Sequence, residues 1–168
     1  MSYLKNLLES AVYVPKIKCR DKKGLLRKVA HLMIEKHHLI NFTEQELLYT
    51  FLRRESLGST TGYRGVAMPH CRLGQYPMSY VGFFTVDPPV DFDSLDREPV
   101  FLIVGLIIPE CWTDRYLKLV ACLAELLFYG PALSNITQLE TPDQLKSHFI
   151  KVAYEIESRD SAHPDGIF

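Results

Sequence analysis

Residues 54–60 read Arg54-Glu55-Ser56-Leu57-Gly58-Ser59-Thr60, and residues 65–70 read Gly65-Val66-Ala67-Met68-Pro69-His70. Three glycines and three hydroxyl residues among the nine positions 57–65 mark a loop. A loop of that composition is expected to point backbone N–H groups and hydroxyls into one concavity, which suits an anion. Arg54 stands just before it, and a short strand leads from it to His70. Pro69 lacks a backbone N–H and holds its own φ, so the strand is expected to end there and leave His70 at a fixed lip. A neutral imidazole in that position offers a nitrogen lone pair to a phosphoryl group. The guanidinium and the loop donors would stabilise charge on the transferring oxygens. Each part also has a plainer reading: a satisfied histidine, a simple connection, and Arg53-Arg54 complementing a helix dipole.

The flanking segments set the architecture. Leu4, Leu7 and Leu8 follow helical spacing, and residues 12–18 alternate as a strand that Pro15 pushes toward an edge or a bulge. Asp21 is placed to cap a helix with a wide apolar stripe from Leu25 to Met33. Thr43-Glu44-Gln45-Glu46 has the capping-box pattern for a second helix, ending at Arg53-Arg54. Residues 78–86 and 99–108 read as strands, the second apolar on both faces and therefore central. Thr113 or Asp114 opens an apolar helix through Leu127, with the stripe from Leu117 onward assigned to the core. Thr141-Pro142-Asp143 opens the last helix. The expected fold is α/β (α+β layered): a single domain with a mixed β-sheet flanked by helices on both sides. Residues 1–157 form that domain and residues 158–168 a loose C-terminal tail.

Composition narrows the function. At 168 residues, 47% apolar and 23% charged, the chain has the make-up of an ordinary soluble domain with a sizeable core. A net charge of −1 offers no global field for nucleic acid or an anionic membrane, so an anion must be held by a local cluster. The N-terminus lacks the pattern of a secretory signal, and the longest apolar run, Val100 to Ile108, is too short to span a bilayer. Cys19, Cys71, Cys111 and Cys122 show no Cys-x-x-Cys spacing and are expected as reduced, mostly buried thiols. A cytoplasmic location is expected.

The quoted runs resemble the signature of the type 2 IIA domains of the bacterial phosphotransferase system, which include mannitol, fructose and nitrogen-regulatory branches. That pattern is roughly Arg-Glu-x-x-Gly-Ser-Thr, then Gly-Val/Ile-Ala-Ile/Met-Pro-His. The likeness extends over about residues 4–156. It implies that His70 accepts a phosphoryl group from an HPr-type phosphocarrier, with Arg54 as the active-site arginine and Gly58, Ser59 and Thr60 in the phosphoryl-binding loop. It further implies a IIB domain or a regulatory target as the next partner. A regulatory, nitrogen-type output is favoured over a sugar-permease component, because no IIB or IIC segment and no phosphocysteine loop accompany the signature in these 168 residues. Mannitol-type members carry a second histidine at the start of the Leu-x-x-Leu-Ala helix; here the aligned position is Tyr116, an uncharged hydrogen-bond donor. A non-phosphorylated interaction module is the third alternative.

No cofactor and no metal are expected, because a phosphohistidine donor already carries an activated P–N bond. His37-His38 lacks a partner at ligand spacing, and His70-Cys71 lacks a second ligand pair. Cys71, with Arg72 nearby to favour a thiolate, is a further candidate nucleophile. Trp112 is assigned to packing, since no basic patch accompanies it.

Overall fold

In the computed structural model, residues 2–62, 64–74 and 76–162 are described. Five α-helices surround one mixed sheet: α1 Ser2–Ser10, α2 Lys22–His37, α3 Glu44–Ser56, α4 Asp114–Phe128 and α5 Pro142–Ala162. The strands are β1 Val12–Ile17, β2 Val66–Ala67, β3 His70–Arg72, β4 Tyr80–Val90 and β5 Val100–Ile108. Their order is β1-β4-β5-β2, with β3 also beside β5. β4 and β5 are antiparallel, whereas β1 runs parallel to β4, and β2 and β3 run parallel to β5.

Central β5 shows why the sheet needs helices on both faces. Leu102, Val104, Leu106 and Ile108 pack with α1, α4 and α5, while Ile103 and Ile107 pack with α2 and α3. Alternation of side chains along a strand divides one apolar run between two cores. On the first face Tyr13 stacks on Phe83 at 5.2 Å and Phe83 meets Phe149 at 4.4 Å. On the second, α2 approaches closely over the cross-strand pair Gly82↔Gly105. A Cβ on Gly82 would lie 2.6 Å from Met33 Sδ, so a larger residue there would push the helix outward.

The helix boundaries follow their caps. Asp21 accepts from the Gly24 N–H, Thr43 and Glu46 form the reciprocal box, and Thr141 accepts from the Gln144 N–H. β1 is an edge strand with a register shift between Val14 and Ile17, as Pro15 requires. Four expectations are corrected. α5 runs to Ala162, so residues 158–162 continue the helix; residues 163–168 lie outside the described residues. Leu117 is 65% exposed, and the core face of α4 is Leu119, Leu123, Leu126 and Leu127 instead. Of the four thiols only Cys71 is buried, Cys111 being exposed and Cys19 and Cys122 intermediate. The strand from Val66 does not end at Pro69. It lapses at Met68-Pro69 and resumes at His70 in unchanged register, Ala67↔Ile103 and His70↔Leu106. Proline interrupts donation without displacing an edge strand, and the Pro69 carbonyl still accepts from the Leu106 N–H. Among the described residues no single helix is long and apolar enough to cross a membrane.

Candidate functional site

His70 opens β3 on the sheet edge, between the C-terminal end of α3 and the first turn of α4. It is 8% exposed, and its ring is gripped at both nitrogens. Nδ1 lies 3.0 Å from the Met68 carbonyl, which can only accept, so Nδ1 carries the proton. Nε2 therefore holds the lone pair. It accepts from Arg54 Nε–H at 3.1 Å and from the Tyr116 hydroxyl at 3.1 Å. Burial holds the His70 pKa below the usual imidazole value, and the Arg54 charge adds to that. The Met68 hydrogen bond and the Glu55 charge oppose the shift without cancelling it. At neutral pH the ring is a neutral imidazole of one tautomer, its nucleophilic nitrogen aimed into a cavity.

That cavity has a volume of about 350 Å³ and is lined by Arg53, Arg54, Leu57, His70, Arg72 and Tyr116 among others. Arg54 is braced from behind: its Nη1–H donates to the Gly58 carbonyl at 3.0 Å. Arg72, two residues beyond His70 on the same strand face, donates through Nη2 to the Glu110 and Trp112 carbonyls. It thereby ties down the turn that leads into α4 and Tyr116.

The glycine-rich loop is built differently from the expectation. It folds back along the outer edge of β2, with the Gly62 N–H on Val66 O at 2.8 Å and the Met68 N–H on Thr60 O at 2.9 Å. Gly58 N–H bonds Glu55 O, Thr61 N–H bonds Ser59 Oγ, and the Thr60 N–H and hydroxyl both donate to Glu55 Oε1. These donors are spent on covering the sheet edge and holding the end of α3, so they do not form a nest open to the cavity. Gly58 still serves the site through the carbonyl that braces Arg54, while Ser59 Oγ is engaged with Thr61 Oγ1 and Thr60 with Glu55. Gly65, at φ +76°, is required where the loop enters β2, since a Cβ there would lie 2.5 Å from the Phe101 ring.

Three residues that sequence reasoning passed over bear on the site. Glu55 is buried beside Arg54, with Lys22 Nζ 3.0 Å from its second oxygen, so α2, α3 and the loop share one carboxylate. Its place in the quoted run beside Arg54 was the available signal. Arg53 and Arg72 line the cavity, which required knowing that β3 exists and which face of α3 looks outward. Cys71 points to the opposite core, its Sγ–H toward Leu106 O, and burial pushes its thiol up to about 12, which removes it as a nucleophile. His37 is engaged by the Val81 carbonyl at 3.0 Å. Among the described residues no group of three metal-ligating side chains converges.

Comparison with known proteins places the chain in a family. The family model described as "Phosphoenolpyruvate-dependent sugar phosphotransferase system, EIIA 2" matches residues 6–152. A nitrogen regulatory protein of Pseudomonas aeruginosa is 36% identical over 127 residues, covering 74% of this chain and 80% of that protein. A fructose-specific EIIABC component of Bacillus subtilis is 23% identical over 77% of this chain, but only 20% of that longer protein is covered. The fold is shared with the nitrogen regulatory protein IIA-Ntr of Neisseria meningitidis (TM-score 0.74, 24% identity, 87% of this chain and 98% of that one). It is shared also with the mannitol IIA of Escherichia coli solved in complex with phosphorylated IIB (TM-score 0.66, 15% identity, 83% and 94%). The chain belongs to the EIIA 2 family of the phosphoenolpyruvate-dependent sugar phosphotransferase system.

Proposed function

We propose that this protein is a histidine phosphocarrier whose His70 Nε2 takes a phosphoryl group from an HPr-type donor, with a regulatory output of the nitrogen type. One observation carries the reading: His70 presents an unprotonated Nε2 to a cavity while its Nδ1–H is held by Met68 O. In the transfer, Nε2 forms the new N–P bond as the donor's P–N bond breaks, and the donor nitrogen keeps that electron pair. No proton need move, because the proton stays on Nδ1, which continues to donate to the Met68 carbonyl. As the lone pair is consumed, Arg54 and Tyr116 lose their acceptor and turn to the phosphoryl oxygens. A charge of about −1.5 to −2 thus arrives where a guanidinium and a hydroxyl already point. The proteins that favour a regulatory output are the nitrogen regulatory relatives, which are more similar than the fructose components.

Intact mass after incubation with a phosphorylated HPr-type donor tests the reading. One added phosphoryl group is expected on the native chain and none on His70→Ala. An equal gain on His70→Ala would refute it. The second reading, a IIA component that passes its phosphoryl group to a IIB cysteine, draws on the mannitol complex. It predicts that label moves from this chain to a IIB domain within seconds, where a regulatory protein would hold it.

A further inference from the structure

We propose that the His70 cavity also binds a small organic phosphate bearing a carboxylate, and that this ligand competes with phosphorylation. The competition, though not the binding, rests on the function proposed above. Three guanidiniums, those of Arg53, Arg54 and Arg72, line one concavity, and among the described residues no carboxylate lines it. None of the three forms an ion pair within 4.0 Å among the described residues; Arg54 and Arg72 donate only to His70 and to neutral carbonyls, and the Arg53 side chain makes no hydrogen bond there. Three permanent charges exceed what one phosphoryl group of about −2 neutralises.

The charges are also laid out for two anions. Arg54 bonds the reactive nitrogen itself and marks the phosphate position. Arg72 leaves the same face of β3 two residues beyond His70, about 7 Å along the backbone, and its guanidinium borders the same cavity. Arg53, whose side-chain donors have no partner among the described residues, also lines the cavity and offers the planar fork that fits a carboxylate. A volume of about 350 Å³ is that of a small-molecule pocket. The convergence of three cations within a concavity, instead of across a flat face, favours such a ligand over an acidic patch on a protein. With a dianion seated beside it, His70 would bind protons more readily and its Nε2 would be shielded from the donor.

The probe is 3-phosphoglycerate, compared with glycerol 3-phosphate, which keeps the phosphate and lacks the carboxylate. Both are titrated into the full chain at constant ionic strength while the His70 imidazole is followed by NMR. The expected result is a higher His70 pKa with 3-phosphoglycerate and binding about tenfold tighter than glycerol 3-phosphate. Arg53→Gln, an exposed substitution that leaves the fold intact, should shrink that ratio toward one, and Arg72→Gln should do the same. Equal affinities for the two ligands, or an unchanged ratio in both variants, would overturn the proposal. So would an unmoved His70 signal at about 10 mM 3-phosphoglycerate, a concentration that detects even weak binding. Phosphorylation by the donor without added ligand is scored separately, so loss of this inference leaves the carrier function standing.

Discussion

Arg54→Lys is the most informative substitution in the site, because it preserves charge and removes geometry. In the native chain the guanidinium spans two acceptors: Nε–H reaches His70 Nε2 at 3.1 Å and Nη1–H reaches Gly58 O at 3.0 Å. The second contact aims the first. A lysine ammonium is a point charge on a flexible stem, so it can satisfy one acceptor but cannot be braced by the other. When the lone pair is consumed, the fork can turn two N–H groups to phosphoryl oxygens, and the ammonium cannot reproduce that pairing. Losing one preorganised charge-assisted donor costs about 2–4 kcal/mol in the transition state, a fall of roughly 30- to 1,000-fold in rate. Single-turnover transfer from a phosphorylated HPr-type donor, quenched and read by intact mass, measures it. Circular dichroism and a urea midpoint check that the variant is folded. Arg54→Gln, which loses the charge as well, should be slower still. Native transfer rates in a folded Arg54→Lys would refute the reasoning and leave the arginine a structural role at the end of α3.

Other consequences follow from the same contacts. Tyr116→Phe removes one ground-state bond to the lone pair and one neutral donor to the phosphoryl group, each worth about 1 kcal/mol net, so the transfer rate or phosphoryl lifetime should change only several-fold. A hundredfold loss in stopped-flow transfer would make Tyr116 more than a tuning group. Glu55→Ala should cost about 3 kcal/mol in a urea melt, since it strands the Thr60 donors and leaves Lys22, partly solvated, with the exposed Asp93 as its remaining ion-pair partner among the described residues; an unchanged midpoint contradicts the shared-carboxylate latch. Transfer should be flat above about pH 6.5 and decline only as the pH falls through the depressed His70 pKa, because the protonated ring has no lone pair. The same depression means that the unfolded chain binds the proton first. The stability contributed by neutral His70 is therefore present above about pH 6.5 and is lost as pH falls toward the folded value, a dependence that His70→Gln should reduce in pH-dependent melts.

Much of this was legible in the sequence because it was local. Capping residues at Asp21, Thr43 and Thr141 and the two-faced run Val100–Ile108 rest on contacts within a few positions, and they gave the layered mixed sheet. The pairing of His70 with Arg54 could be read from the loop that joins them, whereas Tyr116, 46 positions away, was reachable only through the family resemblance. What stayed hidden depends on long-range partners. The donors of the glycine-rich loop were counted, but not the sheet edge and the Glu55 carboxylate that absorb them. Pro69 signalled a stop, yet the ladder resumes beside Leu106 because β5 offers partners past the proline. Arg72 escaped notice as a site residue because its role needs β3 to put it on the face of His70. Leu117 was assigned to the core because an apolar run does not disclose which side of α4 meets the sheet.

The central claim is that Nε2 of His70, and no other atom, takes the phosphoryl group. Nitrogen-15 and phosphorus NMR of the chain, labelled in its histidines and phosphorylated by an HPr-type donor, reads this directly. A single phosphohistidine at residue 70, with phosphorus coupled to Nε2 and the proton retained on Nδ1, which donates to the Met68 carbonyl, is the expected spectrum. Phosphorus coupled to Nδ1 of His70, or found on any of the other five histidines, would contradict the account.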